Sequence, residues 1–207
     1  LFLIPFFLLF GSIVGMKVAT VLLAAVVTTL LYIVLRALHV RSALVWTLLA
    51  LFSEPFSFRM ALAKAPSVGA LFLFAGLYFL ITRRFSFLAI LSFFFVWTYG
   101  GFLLLLVLVS VYVAWEGVHA LHLRREDQQA PSWMTVFSPL LFTVGGMMAG
   151  LLIHPAFPNH FRFYWQQIVQ IGFVNYQSII GVGSEWYPAS FVDVLLNAPI
   201  VNALFFT

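Results

Sequence analysis

Cysteine is absent from the 207 residues, so the sequence offers no disulfide framework, thiol nucleophile or cysteine-ligated metal. Charge is scarce as well. Only 8% of residues are Asp, Glu, Lys or Arg, against about 25% in soluble domains. So little charge cannot cover a water-facing surface, which excludes a soluble globular enzyme. A disordered chain is excluded by the apolar content, because 64% of residues are hydrophobic and the mean hydropathy is +1.10. The apolar runs are long enough for helices rather than barrel strands, which predicts an all-α, polytopic integral membrane protein. The net charge of +4 does not point to nucleic acid. The basic residues sit at the ends of apolar runs, where they set topology.

A helix crossing about 30 Å of hydrocarbon needs roughly 20 apolar residues. Residues 1–10 read as the end of a cut helix and 11–17 as a turn. Further runs cover 18–35, 43–52, 67–81, 85–97, 102–115 and 136–153, and another begins at Phe191. The expectation is a single transmembrane domain over 1–207 with about seven to eight spans, some of them truncated. The chain opens at Leu1 without Met and stops at Thr207 without a polar tail. It is therefore expected to be a fragment, with helices and functional residues beyond both ends. Alternating the spans puts Arg36, Arg41, Arg83, Arg84, Arg124 and Arg125 on one side, six of the ten basic residues. The positive-inside rule makes that side cytoplasmic. Lys17, Glu54, Arg59, Lys64, Tyr99, His154, His160, Arg162, Glu185 and Asp193 fall on the other.

Residues 154–190 are too polar to span and predict an extracytoplasmic segment carrying an interfacial helix. Pro155 and Pro158 interrupt the preceding helix, and Asn159 suits an N-cap. Phe161, Tyr164, Trp165, Ile168 and Ile171 then recur at helical spacing, with Arg162, Gln166 and Gln170 as a polar stripe. Such a helix is either an interfacial anchor or a lid over a cavity. In Gly181-Val182-Gly183-Ser184-Glu185-Trp186-Tyr187-Pro188 the glycines make a poor dinucleotide loop, lacking a third glycine and a flanking strand. Glu185 beside Trp186 and Tyr187 suits a sugar, whose ring stacks on aromatics and whose hydroxyls donate to carboxylates. It also suits a plain aromatic-belt turn.

Glu54, Arg59 and Lys64 form a second cluster. Two cations beside an outer-leaflet cavity fit a lipid-linked phosphate; snorkelling to head groups is the alternative. Tyr99-Gly100-Gly101 breaks a span, and such breaks line cavities. Gly145, Gly146 and Gly150 favour close helix packing. His119 and His122 suit helix-end packing better than a metal, with no third ligand in view. No cofactor is evident; a divalent metal stays open without a visible ligand set.

Four pieces in this order resemble bacterial polytopic enzymes of the GT-C glycosyltransferase superfamily. They are Phe58-Arg59-Met60 with Lys64-Ala65-Pro66, Val96-Trp97-Thr98-Tyr99-Gly100-Gly101, Leu152-Ile153-His154-Pro155-Ala156-Phe157-Pro158, and Gly181 to Pro188. The resemblance runs from Ser53 to Pro188, about two thirds of the chain. It implies a many-helix fold in the bacterial cytoplasmic membrane, with a site on the outer face. There a sugar would move from a polyprenyl-phosphate carrier to an acceptor. In such enzymes an acid in the first outer loop serves as general base; here that loop would lie upstream of Leu1, so no base is assigned to Glu54 or Glu185. On this reading Arg59, Lys64 and Arg162 hold the donor phosphate. Glu185, Trp186, Tyr187, Glu54, His154 and Tyr99 shape the sugar or acceptor site. The partners are membrane lipids and the lipid-linked donor, not nucleic acid. A secondary transporter or flippase is the alternative, which should show an internal repeat that the sequence lacks. A non-catalytic polyprenyl-lipid scaffold is a third reading.

Overall fold

The computed structural model describes residues 3–61, 65–126 and 128–173, together with Val192. All regular structure among them is helical. The helices are α1 (Ile4–Ala37), α2 (Ala43–Phe52), α3 (Glu54–Ala61), α4 (Ala65–Ile81), α5 (Ser86–Thr98), α6 (Leu103–Arg125), α7 (Trp133–Leu152) and α8 (His160–Tyr164). A π-helical segment, Trp165–Phe173, continues from α8. Three helices, α1, α6 and α7, are long and apolar enough to cross a membrane. Residues 43–52, 67–81 and 86–98 form shorter apolar helices. Many large apolar side chains point outward, Leu8, Phe52 and Met134 being about four-fifths exposed (82%, 81% and 79%). Water would penalise so much exposed apolar surface, whereas lipid does not.

The beginning of α1 corrects the expectation of a cut helix followed by a turn over 11–17. Helical structure resumes directly after Gly11, the one non-helical residue inside α1, at φ 77° and ψ 172°. That left-handed φ is accessible to glycine without strain. The chain doubles back there, so the backbone of Phe6 lies against buried Gly15. In a straight helix those residues would stand about 13 Å apart. Lys17 therefore sits within a helix, exposed on its flank.

Further along, α2 and α3 form one interrupted traverse. Ten residues of α2 rise only about 15 Å, and extended Ser53 separates the two helices. The carbonyls exposed at this break are taken up by hydroxyls: Ser53 donates to Ala50 and Ser57 donates to Leu51. Pro139 inside α7 is handled in the same way. It has no N–H for the carbonyl of Thr135, and Ser138 Oγ donates to that oxygen at 2.8 Å. Such local substitution lets a proline persist inside an apolar helix.

The main core lies among α4, α5, α6 and α7, with Leu80, Leu88, Phe95, Leu105, Val109 and Val136 buried. The rings of Phe72 and Phe95 stack at its centre, 4.6 Å apart. Gly146 rests on Ala89 and Ser92 while Gly150 rests on Phe93 and Val96. Both pairs advance by four residues, so α5 and α7 run parallel with backbones in contact, as expected for small residues spaced i, i+4. A smaller cluster joins Leu23 and Val27 of α1 to Met60 of α3 and the first half of α4.

Candidate aromatic and cationic site at one end of the bundle

The α5–α6 break, the start of α4 and the segment after α7 meet at one end. The ring of Tyr99 lies over Gly69 of α4 and over Gly101, and stacks on Phe95 with centroids 6.0 Å apart. Gly100 faces the π-helical segment. A Cβ there would stand 2.7 Å from Gln167 Oε1, so any larger residue would push that amide aside. Tyr164 donates its hydroxyl to the carbonyl of Val96 at 2.7 Å, and Trp97 Nε1 donates to the carbonyl of Gly150 at 2.9 Å. These bonds cap the ends of α5 and α7 and pin α8 across them.

Around them is an aromatic cluster. His154 and His160 stack with centroids 4.4 Å apart; Tyr164 stands edge-on to His160 at 5.6 Å, and Phe161 lies 4.3 Å from it. Trp97 meets His154 edge-on at 6.2 Å. The backbone N–H of Ala156 donates to His154 Nδ1 at 3.1 Å, so the neutral ring carries its proton on Nε2. Burial, and then the adjacent His160, hold the His154 imidazole below its ordinary range. Burial raises the Tyr164 phenol, which suits its role as a donor.

Among the residues selected from sequence, His154 and Tyr99 are brought into this end. Arg162 is exposed on α8, and Arg59 is exposed in the last turn of α3. The two belong to one continuous region: Ser67 donates to the carbonyl of Arg59 at 3.2 Å, Gly69 carries Tyr99, and Gly100 meets Gln167. Neither guanidinium makes an ion pair among the described residues. Glu54 is exposed at the start of α3 and joins neither. Lys64, Glu185, Trp186, Tyr187 and Asp193, and the span expected from Phe191, lie outside the described residues. No three metal-ligating side chains converge among the described residues.

Two features differ from the expected interfacial helix. Asn159 occupies the N-cap position without a side-chain cap bond. The helix also widens to π geometry after Tyr164, turning Gln167 inward beside Gly100 while Arg162 and Gln166 stay exposed. Sequence reasoning missed Gln167, His160 as a buried group, and Glu116. The last is an acid inside α6 that pairs with Arg83 at 3.1 Å, its side chain 15% exposed. Its signal was available: an acid in an otherwise apolar helix needs a partner. With Tyr112, Thr135 and Pro131 this pair lines a small recess at the opposite end. There too Arg124 stands over the Trp133 ring at 4.7 Å, and His122 pairs with Glu126 at 3.2 Å.

Among the described residues, fold and site together define a helical bundle, three of whose helices could cross a membrane, with an aromatic, cation-bearing end. Comparison of the chain with protein families, curated proteins and solved structures finds no match.

Proposed function

We propose that the protein is a multi-spanning membrane glycosyltransferase of GT-C type. In this reading the end bearing Tyr99, His154 and Arg162 faces away from the cytoplasm. Arg36, Arg41, Arg83, Arg84, Arg124 and Arg125 mark the cytoplasmic side of a bacterial inner membrane by the positive-inside rule. A hydroxyl or amide acceptor attacks the anomeric carbon of a polyprenyl-phosphate sugar and gives its proton to a general base, the carbon–oxygen bond to phosphate breaks, and the lipid phosphate leaves with the electron pair. Arg59 and Arg162, with Lys64, hold that phosphate and stabilise its growing charge. Glu54, Tyr99, His154, Glu185, Trp186 and Tyr187 border the sugar and acceptor.

The observation supporting this reading is the pair of exposed guanidinium groups at one aromatic-rich end, neither neutralised by a carboxylate among the described residues. Such an arrangement suits an anion. The test uses the full-length protein in lipid nanodiscs, titrated with polyprenyl phosphate and with its glycosylated form. Arg59→Ala and Arg162→Ala should each weaken binding about tenfold, near 1.4 kcal/mol, with partial recovery in the lysine variants. Unchanged binding in both alanine variants sinks the assignment. Release of radiolabelled sugar from the lipid carrier, and not from a nucleotide sugar, identifies the donor.

A further inference from the structure

His160 is 95% withdrawn from solvent, at 5% exposure, and both its ring nitrogens are buried without a hydrogen-bond partner. A neutral imidazole has one donor and one acceptor to satisfy, and leaving both unmade is costly. The ring is kept there by its neighbours: His154 stacked at 4.4 Å, with Phe161, Tyr164 and Phe157 around it. A proton on His154 creates a cation stacked against a second imidazole, which this packing opposes.

No described group offsets that charge. The titratable groups facing His160 are His154 across the stack and Tyr164 on α8, whose proton is committed to Val96. From α5 it is Trp97 that packs against His154, and Phe102, leading into α6, packs against Tyr164; both are neutral. Arg162, on α8 itself, is exposed and would add repulsion. Among the described carboxylates, Glu116 is paired with Arg83 and Glu126 with His122, while Glu54 is exposed on α3 and bridges neither histidine.

We propose that the His154–His160 stack is a pH-sensitive latch, holding α8 and the π-helical segment across the bundle end at neutral pH and releasing them on acidification. The sign follows from linkage. His154 binds protons less readily when docked than its ordinary value near 6.5 allows. Docking therefore stays intact above about that pH and weakens as the pH falls below it. Release would withdraw Tyr164 from Val96 and Gln167 from Gly100, uncovering the α5–α6 break. The latch does not depend on which molecule the end binds.

Hydrogen exchange on the full-length protein in nanodiscs, near pH 7.5 and near pH 5 with labelling times scaled to intrinsic rates, tests this. Amides of residues 156–164 should lose at least tenfold protection at the lower pH while those of α5 and α7 keep theirs. In His154→Phe, which keeps a ring and removes the titrating group, protection should be retained at both pH values. Wild-type protection that ignores pH overturns the proposal, as does an undiminished acid loss in His154→Phe. If His154→Phe does not assemble, His154→Gln is read by the same two outcomes.

Discussion

Adding a single methyl group at Gly146 should separate the two helices at the centre of the bundle. A Cβ there would meet the Ala89 carbonyl oxygen and the Ser92 hydroxyl, with the Ala89 carbonyl carbon only 2.7 Å away. Ordinary contact begins at 3.4 Å, so the carbonyl carbon alone requires α7 to retreat from α5 by about 0.7 Å, and the closer oxygen requires more. Rotation cannot relieve the clash, because the obstacle is backbone. A gap of that size forfeits roughly a quarter to a half of each dispersion contact along the seam. It also stretches the bond from Trp97 to Gly150, four residues further along α7. Overpacking of this kind costs typically 1–3 kcal/mol, and the rigid obstacle puts Gly146→Ala near the top, about 3 kcal/mol. The control is the adjacent residue: a Cβ on Gly145 meets nothing within 4 Å. Gly145→Ala should be neutral or stabilise by up to about 1 kcal/mol through helix propensity. Reversible unfolding of the full-length protein in mixed micelles with rising SDS reads both. The expected result is a fall in folding equilibrium constant on the order of a hundredfold for Gly146→Ala alone. Equal stability of the two variants would refute the parallel, backbone-close packing of α5 and α7.

Other perturbations separate local from global roles. Tyr164→Phe removes the 2.7 Å bond to Val96 and should cost about 1 kcal/mol, seen as faster exchange across α8 with α5–α7 unaffected; slower or unchanged exchange contradicts the pinning role. Gly100→Ala should displace the Gln167 amide and raise protease sensitivity after residue 160 without lowering bundle stability by more than about 1 kcal/mol. Because Arg83 is largely exposed while Glu116 is mostly covered, a double-mutant cycle of Arg83→Gln and Glu116→Gln should give coupling of about 1 kcal/mol or less, shrinking with salt. Coupling above about 3 kcal/mol would mean a far drier pair than the geometry provides.

Residue types and their order along the chain were enough to determine the class of protein. Sparse charge and long apolar runs leave a backbone that must satisfy its own hydrogen bonds, and helices do this within a single segment. The ends of most helices were legible too, because arginine pairs and prolines punctuate the apolar pattern; the N-cap at Ser132 was not, and α7 begins three residues before the expected 136. The use of Gly146 and Gly150 as a packing surface was legible as well, although Gly145, read together with them, faces open space. Arg59 and Arg162 could be chosen as cations near an interface, but nothing in the order of residues relates one to the other. That relation arises through Ser67, Gly69, Tyr99 and Gly100, which come from different helices. The doubling back at Gly11 was read as a turn of several residues, because one positive φ leaves no trace in hydropathy. His160 was read only as a residue of the outer side; stacking with His154 and coverage by Tyr164 make it a buried group. Periodicity assigned an α-helix after Asn159, whereas contact with the α5–α6 break favours the wider π turn that brings Gln167 inward. Hydropathy acts on each residue separately and so sets which segments are helical. Burial, pairing and register depend on what another segment places alongside, and only the assembled bundle decides those.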